Sequence, residues 1–329
     1  MTNPDIPAPG RTVALLDGGI GQELYQRRRR PSAPLWSVGV MIDDPDLVET
    51  VHLEFIEAGA RVLTLNSYSA TPHRLARAGR EEMFGALQAA ALRAAHAARE
   101  RSGRDDIRIA GCLPPLTASF RPDLTPSEEV CLADYRRIVA AQAEGVDLFL
   151  CETLATVREA RLATLAARES GRTVWTALTV DDADGTVLRS GEPVGEGARA
   201  ALDAGAAAVL ANCSSPEAIA RALPALAGTG APFGAYANGF VSVAPLEPAG
   251  PVDVLDARDD LGPEAYAGHA LGWAAAGATI VGGCCEIGPA HIAELARRLG
   301  REGYGIAAEP AYGARTGGIP TGEISAGGG

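Results

Sequence analysis

Eight short apolar segments recur along the chain, and each is followed by a stretch rich in Ala, Arg, Glu and Leu with the spacing of a helix. Near-continuous apolar runs are typical of parallel strands that are buried on both faces. Eight strand-then-helix units in one chain predict an α/β fold, a single-domain (β/α)₈ TIM barrel. The segments cover residues 12–19, 61–68, 107–115, 147–153, 173–180, 206–214, 232–238 and 278–285.

An open, doubly wound parallel sheet is the alternative arrangement of the same units. The dinucleotide-binding version of that fold carries a G-x-G-x-x-G motif after its first strand. In this chain the first predicted strand is followed by "DGGIG", which lacks that spacing. The sequence therefore favours the barrel over the open sheet.

The ends of the chain differ in composition from its middle. Residues 1–10 are polar and proline-rich and form a predicted N-terminal extension, and residues 11–304 form the predicted barrel. Residues 305–329 have no periodicity, which predicts a flexible C-terminal tail. Within the barrel, residues 239–262 are a long stretch rich in Pro and Asp after the seventh strand. Such loops border the active site of barrel enzymes, so we expect this one to do the same.

Charge and composition exclude several classes of function. The net charge of −12 disfavours binding to nucleic acid or to an anionic membrane. The chain has neither an apolar run long enough to span a membrane nor an N-terminus like a signal peptide, so we expect a cytoplasmic protein. The sequence contains no lysine, which excludes Schiff-base chemistry and a lysine-bearing phosphate loop.

Polar residues are concentrated at the carboxyl ends of the otherwise apolar predicted strands. In a barrel these ends face one common cavity, which is where active sites lie. A strand that serves only for packing has no need of polar residues there. The residues are Asp17, Asn66, Tyr68, Cys112, Glu152, Thr179, Cys213, Asn238, Cys284 and Cys285.

Three of these residues are cysteines that end the sixth and eighth strands, Cys213, Cys284 and Cys285. One strand separates those two in a closed barrel, so their ends lie close together. Three thiolates suit zinc and leave its fourth tetrahedral position open, as in catalytic sites. Gly282 and Gly283 would let the backbone bend so that adjacent cysteines reach one ion. Two other interpretations stay open, namely small buried hydrophobes and a redox pair, although Cys-Cys lacks the C-x-x-C spacing.

The other three cysteines are predicted to serve in core packing. Cys131 falls in a predicted helix, and Cys112 ends the third strand. Cys151 precedes Glu152, so the two side chains are expected to point to opposite faces of their strand. Six scattered cysteines in a chain of this length do not predict a disulfide framework.

Two carboxylates at strand ends, Asp17 and Glu152, need water, a cation or hydrogen-bond donors. One interpretation is a structural ion pair with arginine, and the other is the ammonium group of a ligand. The N–H groups of Gly18 and Gly19, which open onto a helix, could hold a ligand carboxylate. Together these features indicate a small zwitterion, an amino acid, whose far end reaches the metal.

Six segments of the sequence resemble the homocysteine-binding domain of the homocysteine S-methyltransferase family. They are "LLDGGIGQEL", "PLWS", "EAGARVLTLNSYSAT", "DLFLCET", "LANCSSPE" and "IVGGCCEIGPAHI". The resemblance runs in order from residue 11 to residue 300, and the combination of Asn-Cys with Gly-Gly-Cys-Cys at this separation is highly specific. The family includes methyltransferases that use S-methylmethionine or betaine.

The resemblance implies a zinc-dependent barrel and assigns roles to individual residues. It places the Zn²⁺ ligands at Cys213, Cys284 and Cys285. It implies that Asp17 and Glu152 contact the amino group of homocysteine.

The same resemblance covers three further positions in the predicted cavity. It implies that the backbone near Gly18 contacts the carboxylate of homocysteine. Asn66 and Tyr68 match the second-strand motif of the family, here "LNSY". The glycine-rich third-strand motif of the family is replaced by "AGCLPPLTASFRPD", at a position where a loop that binds the methyl donor would lie.

The implied reaction is zinc-dependent transfer of a methyl group from a cationic donor to the thiol of homocysteine, giving methionine. S-methylmethionine is the favoured donor, and S-adenosylmethionine and betaine are the alternatives. Aromatic faces suit a cationic donor, and Trp36, Tyr68 and Phe120 are candidates for that contact. The expected partners are these small molecules, and the sequence predicts no oligomeric state.

Three other functions stay open. The first is methyl transfer to another thiol or to a selenol. The second is a redox-sensing, non-catalytic barrel. The third is a metal-assisted lyase or aldolase, which would normally use His and carboxylate ligands. The five histidines fall mostly on predicted helices, which disfavours this third function.

Overall fold

Parallel strands form one curled sheet that helices cover on its outer side. A computed structural model describes residues 11–28, 37–246 and 254–310. The strands are β1 (Thr12–Leu15), β2 (Val62–Thr64), β3 (Arg108–Leu113), β4 (Leu148–Leu154), β5 (Thr173–Leu178), β6 (Ala208–Asn212), β7 (Phe233–Tyr236), β8 (Ile280–Val281) and β9 (Gly305–Ala307).

Helices follow the strands in the alternating order that the sequence predicts. They are α1 (Ile20–Arg27), α2 (Ser37–Asp43), α3 (Pro45–Glu57), α4 (Pro72–Arg77), α5 (Phe84–Ser102), α6 (Glu128–Gln142), α7 (Val157–Arg168), α8 (Val194–Asp203), α9 (Pro216–Ala227), α10 (Pro263–Ala275) and α11 (Pro289–Arg301). Strands β1–β8 all coincide with predicted segments, and β4 extends one residue beyond its segment, to Leu154. The helix that follows Gly19 is confirmed as α1. The short helices α2 and α4 were not predicted, because six or seven residues give too little periodicity.

The strands follow one another around the sheet in chain order from β2 to β8, and β1 and β9 come after β8. Among the nine described strands, the order does not reverse as it would in the doubly wound alternative. A further parallel bridge joins Leu16 to Val62. Backbone hydrogen bonds run from Asp17 N to Val62 O (2.9 Å) and from Arg61 N to Leu15 O (2.8 Å). The fold is therefore an α/β arrangement of the TIM-barrel type.

The C-terminal end of the described chain differs from the prediction. Residues Gly305–Ala307, placed in the predicted flexible tail, form β9 and pair in parallel with residues 12–14 of β1. A strand of three half-buried residues has no alternating pattern that sequence analysis can detect. Residues 311–329 and the predicted extension at 1–10 lie outside the described residues.

The core has two layers, one inside the curled sheet and one between the sheet and the helices. Alternation along β4 separates them, because Leu150 points to the inside and Phe149 to the helices. Trp175 of β5 fills the inside, and Trp273 of α10 belongs to the outer layer. Glu152 has the same parity as Leu150, so its side chain faces the inside of the sheet. Across the described ranges, no helix combines the length and apolarity needed to cross a bilayer.

Candidate active site

A cavity of about 340 Å³ opens at the carboxyl ends of the strands. All eight residues predicted to form the site contribute to its lining. They are Asp17, Gly18, Asn66, Tyr68, Glu152, Cys213, Cys284 and Cys285. The structure therefore brings together residues that are separated by up to 268 positions in the chain, while their roles remain predictions.

Three cysteine side chains, which we call the sulfur cluster, meet on one side of this cavity. The Sγ atoms of Cys213, Cys284 and Cys285 all lie within 4.8 Å of one another. Cys213 is buried and the other two are half-buried. The thiols of Cys284 and Cys285 donate to Cys213, which lowers the pKa of the Cys213 thiol and raises the pKa values of the two donors. Three sulfur atoms at this separation could together bind one cation.

Strand β7 fixes the backbone of the sulfur cluster. Cys213 N donates to Tyr236 O (3.1 Å), and Cys284 N donates to Ala237 O (2.9 Å). Cys213 adopts a φ of 48°, a left-handed conformation that is uncommon for a residue with a side chain. The strained backbone at this position is typical of functional sites.

Gly282 and Gly283 allow close packing, and their role in bending the backbone stays a prediction. A Cβ atom on Gly282 would lie 2.5 Å from Leu16 Cβ, and one on Gly283 would lie 2.3 Å from Ile287 Cγ2. The Gly283 N–H also donates to Asp17 O (2.9 Å). The two glycines therefore let the chain that carries the cysteines approach the end of β1.

Asp17 is a buried carboxylate with its hydrogen bonds supplied by β2. Thr64 N donates to Asp17 Oδ2 (2.8 Å), and Thr64 Oγ1 donates to Asp17 Oδ1 (3.1 Å). Burial nevertheless raises the pKa of Asp17 from 3.8 to about 8, and the nearby Glu152 adds to the increase. A bound ammonium group would favour the ionised form of this carboxyl.

Glu152 is a second buried carboxyl in the cavity, and with Asp17 it forms what we call the carboxylate pair. The Cys112 thiol donates to Glu152 Oε1 (3.0 Å), and the Tyr236 hydroxyl lies 3.4 Å from Oε2. Burial raises the pKa of Glu152 to about 7. The assignment of Cys112 to packing alone was therefore incomplete. Its place at the end of β3 was the available indication that it reaches the site.

The backbone next to Glu152 is held by an asparagine of β6. Thr153 has a φ of 61°, and the pairing of β4 with β5 shifts register between Cys151 and Leu154. Asn212 Oδ1 accepts a hydrogen bond from Thr153 N (2.9 Å), and Asn212 Nδ2 donates to Thr153 Oγ1 (2.9 Å). A β-branched residue rarely adopts such a φ, so the two bonds from Asn212 offset the cost of this conformation.

Asn66 and Tyr68 lie at the cavity with their polar atoms already bonded to the protein. Asn66 Oδ1 accepts a hydrogen bond from Ser37 Oγ (2.9 Å), which ties the end of β2 to α2. The Tyr68 hydroxyl lies 2.8 Å from Ser119 Oγ. Asn66 is therefore placed to shape the wall, while the half-buried Tyr68 ring lines the cavity itself.

The glycines after β1 leave room for the chain segment that follows β8. A Cβ atom on Gly18 would lie 2.0 Å from Ile287 O. The Gly19 N–H donates to this same oxygen at 2.9 Å. The Gly19 N–H already donates within the protein. The backbone near Gly18 therefore stays the predicted contact for a ligand carboxylate.

Aromatic and aliphatic side chains from long loops form the remaining wall. Phe120 lies in the loop after β3, while Phe240, Leu246 and Leu255 come from the stretch 239–262. The prediction that this stretch borders the cavity is confirmed for its described residues. Trp36, a predicted candidate for a cation contact, lies outside the described residues.

One face of each described aromatic candidate already contacts an arginine. The guanidinium carbon of Arg189 lies 5.1 Å from the centre of the Phe120 ring, and that of Arg74 lies 5.2 Å from the Tyr68 ring. A cationic donor would therefore meet these rings only on their other faces. No histidine is found among the described lining residues, which further disfavours the lyase alternative.

The model of one family, described as homocysteine S-methyltransferase, matches residues 14–299 of the chain. A homocysteine S-methyltransferase from Escherichia coli is 32% identical over 308 residues, which cover 87% of this chain and 95% of that protein. A selenocysteine Se-methyltransferase from Brassica oleracea is 27% identical over 316 residues, which cover 87% and 88% of the two chains.

Solved structures that resemble this chain include members of the same family. The metallated form of the homocysteine methyltransferase MmuM from Escherichia coli superposes with a TM-score of 0.73 and 29% identity. The superposition covers 87% of this chain and 96% of that protein. The oxidized form of the same enzyme gives a TM-score of 0.71. On the extent of the family match, this chain belongs to the homocysteine S-methyltransferase family of enzymes.

Proposed function

We propose that this enzyme transfers a methyl group from a cationic donor, preferably S-methylmethionine, to the thiol of homocysteine, with Zn²⁺ bound by the sulfur cluster. One observation carries the proposal. The three Sγ atoms lie within 4.8 Å of one another in a cavity that also holds the carboxylate pair. A soft cation site beside two carboxyls matches a ligand with a sulfur atom at one end and an ammonium group at the other.

The chemistry of the donor set supports zinc as the bound metal. Three thiolates are among the preferred ligands of Zn²⁺, and a set of three leaves one position for a substrate atom. Bound there, Zn²⁺ would lower the pKa of the acceptor thiol so that its sulfur is a nucleophile at neutral pH. The E. coli relative has been solved in a metallated form, which supports a metal site in this family member as well.

The carboxylate pair would orient homocysteine through its ammonium group. Asp17 is held by two hydrogen bonds from Thr64, and Glu152 by Cys112, so neither carboxyl needs to move to receive the ligand. Both have raised pKa values in the free protein, and the positive charge of the ligand would offset that cost of burial. The backbone near Gly18 would contact the ligand carboxylate.

The reaction requires little acid–base catalysis by the protein. The sulfur lone pair of homocysteine forms the new S–CH₃ bond, and the electron pair of the old bond returns to the sulfonium sulfur of the donor. The thiol proton is released, and with S-methylmethionine both products are methionine. The protein chiefly has to hold the two sulfur atoms in line with the methyl carbon and exclude water.

The proposed fold is a closed (β/α)₈ barrel in one domain. The proposed role of the methyl transfer is methionine biosynthesis. The hydrogen bonds between β1 and β2 support closure of the barrel. A reducing compartment, the cytoplasm, would keep the half-buried Cys284 and Cys285 unoxidised.

The direct test is methionine formation by reduced protein supplied with zinc and homocysteine. S-methylmethionine, S-adenosylmethionine and betaine are offered in turn, and the first is expected to give the highest kcat/KM. Inactivity with every donor would contradict the proposal.

A second candidate function is methylation of another thiol or a selenol by the same machinery. The similarity to a selenocysteine Se-methyltransferase favours this alternative. Adding selenocysteine to the acceptor panel distinguishes the two, since a selenol-specific enzyme would prefer it to homocysteine by kcat/KM.

A redox-sensing barrel is the remaining alternative, favoured by the close approach of the three sulfur atoms. Titration of thiols with and without a chelator decides it. A sensor would show reactive thiols before the chelator is added, whereas a metal site would release them only afterwards.

A further inference from the structure

Two arginines of α4, Arg74 and Arg77, line the same cavity as the sulfur cluster and the carboxylate pair. Arg74 is partly buried, and its guanidinium lies over the ring of Tyr68. Its Nη2 atom donates to Pro115 O (3.1 Å) and to Ser119 Oγ (3.3 Å), and its Nε atom is buried without a hydrogen-bond partner. All the acceptors that Arg74 uses are neutral.

No carboxylate of the described ranges forms an ion pair with either arginine of α4. Arg77 donates to a backbone oxygen, Thr117 O. The acid beside this helix, Asp134, lies 2.9 Å from His73 Nε2 instead. Burial and the like charge of Arg77 both lower the pKa of Arg74. Burying a charge without a counterion is costly, so a guanidinium in this position favours the binding of an anionic ligand.

A second arginine near the cavity shows the usual solution to this problem. The side chain of Arg189 is 12% exposed, and its Nη2 atom lies 2.7 Å from Asp182 Oδ2. Among the described residues, Arg189, which lies over Phe120, thus has a carboxylate partner, whereas Arg74, which lies over Tyr68, has none. The difference indicates that the counterion of Arg74 comes with the substrate.

We propose that Arg74, assisted by Arg77, binds the carboxylate of the methyl donor. This inference rests on the proposed methyl transfer. Two guanidinium groups at the cavity would repel a donor with only a positive charge. A carboxylate at the far end of the donor removes that repulsion, and the planar guanidinium suits it geometrically.

The carboxylate of homocysteine is assigned elsewhere, near Gly18, and its ammonium group to the carboxylate pair. The two substrates would therefore be distinguished by charge at opposite walls of the cavity. Homocysteine would be bound by the carboxylate pair and the backbone near Gly18, and the donor by Arg74 and Arg77.

The experiment compares two donors that differ in that charge, S-methylmethionine and its α-carboxamide. The wild-type enzyme should have a kcat/KM about 10–100-fold higher for the acid than for the amide, as expected of one charge-assisted hydrogen-bonded pair. Arg74→Gln should lower kcat/KM for the acid by a similar factor, mainly through KM, and change that for the amide less than about threefold. Arg74→Lys should retain part of the preference.

The matched control is Arg80→Gln, an exposed arginine just beyond α4 that does not line the cavity. It removes the same charge and should leave the acid-to-amide ratio unchanged. A general structural role for Arg74 would lower kcat/KM for both donors equally, and that outcome would overturn the inference.

Failure of the inference is distinct from failure of the proposed function. A wild-type enzyme that forms methionine from both donors at similar kcat/KM would refute the arginine subsite and leave methyl transfer intact. A wild-type protein that forms no methionine with any donor would refute both.

Discussion

The sulfur cluster and the carboxylate pair lie in one cavity, but their surroundings differ. Among the described residues, the side chain that donates to the cluster from outside is Asn238, whose Nδ2 atom lies 3.9 Å from Cys213 Sγ. Asp17 accepts two hydrogen bonds from Thr64, and Glu152 accepts one from Cys112. The hydrogen-bond partners of the thiols are thus chiefly one another, whereas the carboxyls are already positioned by other residues of the protein.

This difference indicates two kinds of ligand. Three thiols packed at short range favour a metal ion, which replaces their protons and supplies strong bonds. Buried carboxyls with donors but no cation favour a ligand that brings a positive charge and leaves again. The sulfur cluster is therefore expected to hold a resident ion, and the carboxylate pair a substrate.

The largest effect is expected from breaking the sulfur cluster. Removing an outer partner of a metal ligand already costs about 10–100-fold, so Cys284→Ser, which removes a ligand, should lower kcat/KM for methyl transfer by more than about 100-fold. The matched control is Cys131→Ser on α6, where the thiol donates to Pro126 O outside the cavity. Equal activities of the two variants would contradict the assignment.

A smaller effect is expected from neutralising one member of the carboxylate pair. Asp17→Asn preserves the size of the side chain but removes the charge that the ammonium group would meet. The KM for homocysteine should rise about 10–100-fold, with a smaller change in kcat. Asp105→Asn, an exposed residue before β3, is the control. An unchanged KM in Asp17→Asn would show that the ammonium group binds elsewhere.

Asn212 sharpens the comparison because its side chain holds Thr153, the neighbour of Glu152. Asn212→Ala removes both hydrogen bonds to Thr153 and should cost about 1–3 kcal/mol of stability. The same change should raise the KM for homocysteine, because Glu152 loses its fixed position, and leave zinc content unchanged. The double variant with Thr153→Gly should recover part of the stability, since glycine adopts a φ of 61° without strain. A loss of zinc in Asn212→Ala would contradict the separation of the two groups.

A separate effect is a dependence of stability on pH. The pKa of Asp17 is raised from 3.8 to about 8 in the folded chain, so the folded state binds its proton more tightly than the unfolded state. The stabilisation is complete below pH 3.8 and is lost as the pH rises toward 8, by at most about 1.4 kcal/mol per pH unit. Urea unfolding of wild type and Asp17→Asn at pH 5 to 8 measures the difference, and parallel curves would contradict it.

The strand ends and their polar residues could be predicted because apolar runs are a local property of the sequence. Cys213, Cys284 and Cys285 followed from the rule that alternate barrel strands bring their carboxyl ends together. Cys112 was harder to assign, because its bond to Glu152 depends on the register of β3 against β4 and on the bulge at Thr153.

Other parts of the site depend on contacts that no local pattern records. The hydrogen bonds of Asn212 to Thr153 join residues of two strands that are not neighbours in the sheet. Arg74 lies on a helix of six residues, too short for its periodicity to be recognised. The strand β9 is shorter still.

The most direct test of the account is the zinc content of protein purified under reducing conditions. We predict one Zn²⁺ per chain in the wild type and in Cys131→Ser, and less than a tenth of that in Cys284→Ser after dialysis against a weak chelator. Wild-type protein that takes up no zinc, or zinc that stays stoichiometric in Cys284→Ser, would contradict a metal site built from the three cysteines.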